Sequence, residues 1–300
     1  MKILLLGSNG QVGWYLQKCL APLGDLKVCN RGDVNFNNLN NLQKTVRDFC
    51  PDIIVNAAAY TDVDKAESEI NEAFQVNFNA LDLLAREAKL IDAWLIHYST
   101  DYVFDGKKLD PYHEKDKTNP KSIYGKSKLQ GENAIIESNC KYLILRTCWL
   151  YSIRGRNFLK TILNLAKEKS ELRIVNDQIG APTSAEMVAN VTSLCIYKII
   201  QDRALSHDIS GVYHLASSGR ASWYDFAKHT LYQAQKCGDI FLANPENIIG
   251  INSSELLLPA KRPLNSLLNS DKLCKTFNLQ LPSWEVTLDK LIKELYFLEA

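Results

Sequence analysis

Hydrophobic residues in the first half of the chain come in short, nearly continuous blocks, at 3–6, 26–29, 53–55, 94–98 and 142–146. Between the blocks, apolar residues recur every three or four positions, most clearly over 70–89, with Phe74, Val76, Leu81, Leu84 and Ala88. Continuous blocks predict strands covered on both faces. The spaced pattern predicts helices over 14–20, 42–49, 70–89 and 124–136. Strands alternating with helices imply a parallel sheet with right-handed crossovers, a doubly wound α/β fold.

The rhythm loosens after residue 150. Helices are predicted over 158–169, 186–200 and 223–237 and one more strand over 212–216, while Pro259, Pro263 and Pro282 punctuate the end. The chain therefore reads as a first domain at 1–150, joined by elements returning near 186–216, and a smaller domain drawn mainly from 151–300. A net charge of +1, with Lys and Arg spread along the chain, argues against a nucleic-acid footprint. Eight cysteines without a Cys-x-x-Cys pair, several inside apolar runs as at Cys148, read as buried reduced thiols. The block after Met1-Lys2 ends at Gly7, too short for a signal-peptide core, and no run approaches the ~20 residues of a membrane span. The expectation is a soluble, cytoplasmic protein with no membrane partner.

Gly7-Ser8-Asn9-Gly10-Gln11-Val12-Gly13 follows the first strand and opens a helix. Gly7 suits a tight turn, Gly10 lets backbone N–H groups approach a pyrophosphate, and Gly13 lets the helix pack on the strand. A glycine triplet alone is weak; placed after an N-terminal strand and before a βαβ rhythm, it signals a dinucleotide site. The second strand ends at Cys29-Asn30-Arg31, where an NAD-selective site would place Asp or Glu. Neutral Asn30 beside cationic Arg31 does not repel a 2′-phosphate, which favours NADPH and leaves NADH as the alternative. Asp33-Val34 is read as closing over the adenine. The small residues Ala57-Ala58-Ala59 suit a backbone pressed against the cofactor.

Tyr124-Gly125-Lys126-Ser127-Lys128 puts Tyr124 and Lys128 on one helix face. A phenol with an ordinary pKa near 10 is a poor acid–base group at neutral pH, and an adjacent ammonium lowers that value. The spacing alone decides nothing. Ser99-Thr100, at the carboxyl end of a predicted strand where ligands bind in such sheets, supplies the missing hydroxyl.

Together these motifs resemble the extended short-chain dehydrogenases that act on nucleotide sugars. Longer stretches are similar to the dTDP-4-dehydrorhamnose reductase family within that group. They are Gly10-Gln11-Val12-Gly13-Trp14, Asn56-Ala57-Ala58-Ala59-Tyr60-Thr61-Asp62-Val63-Asp64-Lys65-Ala66-Glu67 and Tyr98-Ser99-Thr100-Asp101-Tyr102-Val103-Phe104-Asp105-Gly106. Arg146-Thr147-Cys148-Trp149, Asp177-Gln178-Ile179-Gly180-Ala181-Pro182-Thr183 and Arg262-Pro263-Leu264-Asn265-Ser266 extend the likeness through the second half.

The resemblance implies a Rossmann-type doubly wound parallel sheet with a smaller C-terminal substrate-binding domain. It also implies NAD(P)H-dependent reduction of the C4 keto group of dTDP-4-dehydro-L-rhamnose to dTDP-L-rhamnose. Carried over, Tyr124 protonates the sugar oxygen, Lys128 tunes Tyr124 and holds the nicotinamide ribose, and Thr100 hydrogen-bonds the substrate. Val63, Asp101, Tyr102 and Trp149, with Thr100 and Tyr124, match the substrate pocket. The cofactor set is Gly7, Asn9, Gly10, Gln11, Val12, Gly13, Asn30, Arg31, Asp33, Val34, Ala57, Ala58, Ala59, Tyr60, Thr61, Tyr98, Tyr124 and Lys128.

Dehydratases of similar fold follow Thr-Asp with a Glu, which elimination needs; here that position is Tyr102, which favours simple reduction. The alternatives are another nucleotide-sugar epimerase or reductase, or a non-catalytic NADP-binding regulatory subunit of this fold. Intact Thr100, Tyr124 and Lys128 weigh against the latter. Some family members bind Mg²⁺ at a dimer interface through carboxylates. Glu186 and Glu294 match two of those positions, but the first-helix position is Tyr15, so no metal is expected. A homodimer is admitted without that support.

Overall fold

The structure is a computed structural model and describes residues 1–201 and 209–297. In the first half β1 (Lys2–Leu6), α1 (Gln11–Leu20), β2 (Asp25–Cys29), α2 (Leu39–Phe49) and β3 (Ile53–Asn56) follow the block pattern. The helix predicted over 70–89 is two helices, α3 (Ile70–Phe74) and α4 (Ala80–Leu90), joined by a π-helical turn at Gln75–Asn79. Next come β4 (Trp94–Thr100), α5 (Ile123–Ser138) and β5 (Lys141–Thr147). The second half begins with β6 (Leu150–Tyr151), α6 (Phe158–Glu168), β7 (Leu172–Val175), β8 (Ile179–Gly180) and β9 (Thr183–Ser184). It continues through α7 (Ala185–Gln201), β10 (Gly211–His214), β11 (Ala221–Ser222) and α8 (Trp223–Lys236) to β12 (Ile248–Ile251), α9 (Asp271–Phe277) and α10 (Trp284–Phe297).

Six strands form one parallel sheet in the order β10-β5-β4-β3-β1-β2. Strand side chains alternate between faces, so Ile3 and Leu5 enter the core under α1 and α7. Leu4 and Leu6 enter the opposite core, under α2 and α4. All four are buried, and each contributes about 1.5–3 kcal/mol by leaving water. This two-sided burial is why the strands read as continuous apolar blocks. α7 packs along α1, and β10 pairs with β5 at the edge of the sheet.

A second core gathers residues of α6, α8 and α10 around Phe226, with the parallel pair β7–β12 beside it. The chain leaves β1 to one side for β2 and to the other for β3. Ligands bind at such a reversal, outside the carboxyl ends of the strands. Side-chain caps at Asn38, Ser122, Asn157 and Ser222 accept backbone N–H groups at the starts of α2, α5, α6 and α8, each contributing about 1 kcal/mol. Helix α1 is different: its N-cap is Gly10, and no side chain caps it. Among the described residues no helix is long and apolar enough to cross a membrane. All eight cysteines are free.

Candidate active site

The glycine-rich turn is held by close approach. Gly7 has φ +80°, and a Cβ there would lie 2.4 Å from the Ala58 nitrogen. At Gly13 a Cβ would lie 2.1 Å from the Gly7 carbonyl oxygen, so helix and turn fit only without it. Gly10 is not crowded in this way; its nearest neighbour would be the Gly7 oxygen at 3.3 Å. Its role is to leave the uncapped N-terminus of α1 open, where N–H groups and the helix dipole favour a phosphate.

Two adjoining clefts meet at this turn. One is walled by Gly7, Asn9, Gly10, Asn30, Arg31, Val34 and residues 57–60, together with Phe36, Glu72 and Val76. Its apolar floor and glycine edge suit a dinucleotide's adenosine half, so the chain's own residues fit such a cofactor. Asp33 is not part of that wall. Its carboxylate accepts the Asn30 N–H at 2.8 Å, and the Asn30 side-chain oxygen accepts the Gly32 N–H at 2.7 Å, which fixes the turn. The Arg31 side chain is 82% exposed and lies 3.7 Å from Glu72.

The second cleft brings together Asn9, Gln11, Val12, Ala57, Ala59, Thr61, Val63, Tyr98, Thr100, Asp101, Tyr102, Tyr124, Lys128 and Trp149. Residues far apart in sequence converge there because β4 ends at Thr100 and α5 begins beside it. Ser122 caps α5 by accepting the Gly125 N–H at 3.1 Å, and Glu67 accepts the Ile123 N–H at 2.8 Å. A Cβ at Gly125 would lie 2.3 Å from the Tyr102 carbonyl oxygen. That glycine lets the 101–103 turn sit on the first turn of α5, with the Tyr102 ring edge-on to Tyr124 at 5.5 Å. From the other side Asn77, in the π-helical turn, bonds both the N–H and C=O of Tyr60 and the Ser127 hydroxyl.

Burial pushes the Tyr124 phenol up to about 12, opposed by its hydrogen bond with Thr100 and reinforced by Asp101. The Thr100 hydroxyl donates to Asp101 at 3.1 Å and accepts the Tyr102 N–H at 3.2 Å. Burial likewise raises Asp101 to about 6, with the Ser266 and Thr100 hydroxyls in opposition. Tyr98 turns its hydroxyl to Thr192, so it offers the cleft its backbone and ring.

Lys128 departs from the spacing argument. Its amine lies on the same helix face as Tyr124, but it donates to the Tyr98 carbonyl at 2.6 Å and sits 3.0 Å from His97 Nε2. Tyr124 is raised rather than lowered, and no ammonium figures among the groups acting on it. Burial brings Lys128 down to about 7, against the pull of Glu132.

Several site residues carry no sequence signal that would have singled them out. Trp223 stacks on Trp149 and walls the second cleft, as do Gly155 and Arg156. Gln11 ties that 152–157 loop to the glycine turn by accepting from Ser152 and Asn157, both at 3.0 Å. Glu186 and Glu294 both act on Tyr15, and the two carboxylates gather around a cation already in the chain. Lys290 lies 3.1 Å from Glu186 and 3.6 Å from Glu294.

The model of the RmlD substrate binding domain family matches residues 1–297. The dTDP-4-dehydrorhamnose reductase of Escherichia coli (strain K12) is 44% identical over 300 residues, spanning 99% of this chain and 98% of that one. The protein of that name from Burkholderia thailandensis is 42% identical over 295 residues, spanning 98% and 99%. Among solved structures, dTDP-4-dehydrorhamnose reductase from Bacillus anthracis in complex with NADP superposes with a TM-score of 0.87 at 34% identity, over 100% of this chain and 99% of that one. A Clostridium acetobutylicum counterpart gives 0.88 at 35%, over 98% and 99%.

Proposed function

The chain belongs to the RmlD substrate binding domain family, and we infer that it is an NADPH-dependent dTDP-4-dehydrorhamnose reductase of dTDP-rhamnose synthesis. The observation that carries the chemistry is one cleft in which Thr100, Tyr124 and Lys128 face the glycine turn. NADPH, when bound, supplies the hydride that reduces the C4 carbonyl carbon. The chain's residues do the rest.

Tyr124 holds the proton that the C4 oxygen takes. With its phenol raised to about 12 it is protonated at neutral pH, as an acid for reduction must be. An alkoxide is a stronger base than even this phenolate, so the transfer runs downhill. Thr100 orients the same oxygen, and Lys128 is the group that takes a ribose hydroxyl once it is drawn from its Tyr98 and His97 contacts into the cleft. Val63, Asp101, Tyr102 and Trp149, with Trp223, form the sugar-side wall. We assign residues 1–150 to the cofactor-binding domain and 151–300 mainly to the substrate-binding domain, which reaches this wall through Gly155, Arg156 and Trp223. Tyr102 is no base for elimination, since burial first and Asp101 second push its phenol up.

Two finer points belong to the same proposal. Eight free cysteines support a cytoplasmic setting. Exposed Leu194 and Tyr197 on α7 support a homodimer, which sedimentation would test. The activity itself is tested by following NADPH absorbance with the 4-keto-L-rhamnose nucleotide and with dTDP-glucose plus NAD⁺. One NADPH consumed per product and no keto-deoxysugar from dTDP-glucose is the expected outcome; the reverse overturns the reading.

A further inference from the structure

Beneath the catalytic cleft lies a buried hydrogen-bond chain whose direction can be worked out. Its members are Asn56 at the end of β3, His97 in β4 and Lys128 in α5, 1%, 1% and 2% exposed. The Asn56 side-chain oxygen accepts the Ala58 N–H at 3.1 Å, so its amide NH₂ points the other way, at His97 Nδ1, 3.2 Å distant. An NH₂ can only donate, so Nδ1 accepts and the proton of a neutral ring sits on Nε2. Lys128 Nζ lies 3.0 Å from that Nε2 and donates to the Tyr98 carbonyl at 2.6 Å.

An ammonium has three donors and no lone pair, so it cannot accept from Nε2–H. Making Nε2 the acceptor would move the ring proton to Nδ1, against the Asn56 NH₂. Turning the Asn56 amide over to relieve that would set its NH₂ against the Ala58 N–H. Either rearrangement leaves donor facing donor in a buried place. An imidazolium meets the same conflict.

We propose that His97 is a positioning residue that holds Lys128 as a neutral amine, donating Nε2–H to the Nζ lone pair, until a ligand draws that side chain into the cleft. The surroundings agree. The titratable groups around the pair are Tyr124 and Glu132 on α5 and Arg146 on β5. Glu132 is occupied by Arg146, which bonds both its oxygens at 2.9 and 2.6 Å. Lys128 therefore has no carboxylate partner; β4 contributes the Tyr98 carbonyl, and β3 the Asn56 side-chain amide together with the Asn56 backbone carbonyl, which pulls His97 weakly upward without reaching hydrogen-bond geometry. Burial lowers Lys128 to about 7; burial first and Lys128 second hold His97 well below its usual range. Stored this way, Lys128 brings no charge to Tyr124, which stays protonated, ready to act as the acid.

The inference rests on the reductase reading for the part Lys128 plays, but its test does not need turnover. Long-range ¹H–¹⁵N spectra of the histidine-labelled, cofactor-free protein at neutral pH report the tautomer of each ring. The His97 signal is assigned by its loss in His97→Gln. The expected result is the Nε2–H tautomer in the unmodified protein. In Asn56→Asp a carboxylate oxygen replaces the NH₂, so the ring should switch to Nδ1–H and Lys128 ammonium protons should become visible in lysine-labelled protein. An Nδ1–H ring or an imidazolium in the unmodified protein overturns the proposal, whether or not Asn56→Asp folds. So does an unswitched ring in folded Asn56→Asp. Failure to reduce the keto-sugar with the expected tautomer present would instead count against the activity alone.

Discussion

Trp149 and Trp223 stack face to face, with ring centroids 3.6 Å apart and planes 12° from parallel. The contact joins the segment just after β5 to the first residue of α8, and the Phe158 ring lies 4.6 Å from that of Trp223. Trp149 holds a left-handed backbone at φ +49°, which costs a residue with a Cβ roughly 1–2 kcal/mol. Its ring lies so close to Gly180 that a Cβ there would meet it at 2.5 Å. The stack and the glycine together fix an indole that the backbone alone would not hold in this place.

Trp223→Ala should therefore act through Trp149. An aromatic pair contributes about 0.5–1.5 kcal/mol beyond area burial, so KM for the keto-sugar should rise roughly three- to tenfold with kcat changed less. Steady-state kinetics at saturating NADPH measure this. An unchanged KM would show that Trp223 only packs the second core.

Tyr124→Phe removes the proposed proton donor and leaves the ring. kcat should fall by a factor on the order of 10²–10⁴, as when general acid catalysis is lost. Cofactor binding, followed by quenching of intrinsic fluorescence, should change little. Near-normal turnover would remove Tyr124 from the role of acid.

Charge at the adenosine end gives a third expectation. Arg31 borders that cleft and leaves a 2′-phosphate unopposed, whereas Glu72, 3.7 Å away, repels it. kcat/KM should be higher with NADPH than with NADH. Arg31→Ala should shrink the gap, and Glu72→Gln should widen it. An NADH preference in the unmodified protein would mean that Arg31 faces only solvent.

The parts of this fold that were legible in the sequence are those where one physical rule acts alone. Strands buried on both faces must be largely apolar, so β1, β3, β4 and β5 stand out as blocks, and the turn needing Gly7 and Gly13 marks itself by their absence of side chains. The π-helical turn at Gln75–Asn79 left no such trace, because one widened turn barely disturbs apolar spacing over twenty residues. β6, β8, β9 and β11 are two-residue strands, too short to show any period. β7 and β12 pair across more than seventy residues of intervening chain. Tyr124 and Lys128 were found by their spacing. That spacing implied a pairing which the fold replaces with His97, a lone histidine inside an apolar strand. Trp223 was visible only as the first residue of a predicted helix, and its place over Trp149 is a tertiary fact.

Asp101 yields a prediction about stability and pH. Its side chain is buried, one oxygen has no hydrogen-bond partner, and burial raises the carboxyl to about 6. In the unfolded chain the same group titrates near 3.9. The folded state thus binds the proton more tightly, and stability falls as pH rises between those values. Below about pH 4 both states are protonated and there is no cost. Above about pH 6 both are ionised and the cost is complete, on the order of 3 kcal/mol. Asp101→Asn cannot ionise, yet its amide oxygen can still accept from Thr100. Its Tm advantage over the unmodified protein should be smallest near pH 4, grow through pH 6 and then level off. At roughly 2–4 °C per kcal/mol, scanning calorimetry across that range will resolve the change. A difference independent of pH would mean that Asp101 is ionised throughout, with a partner for its second oxygen.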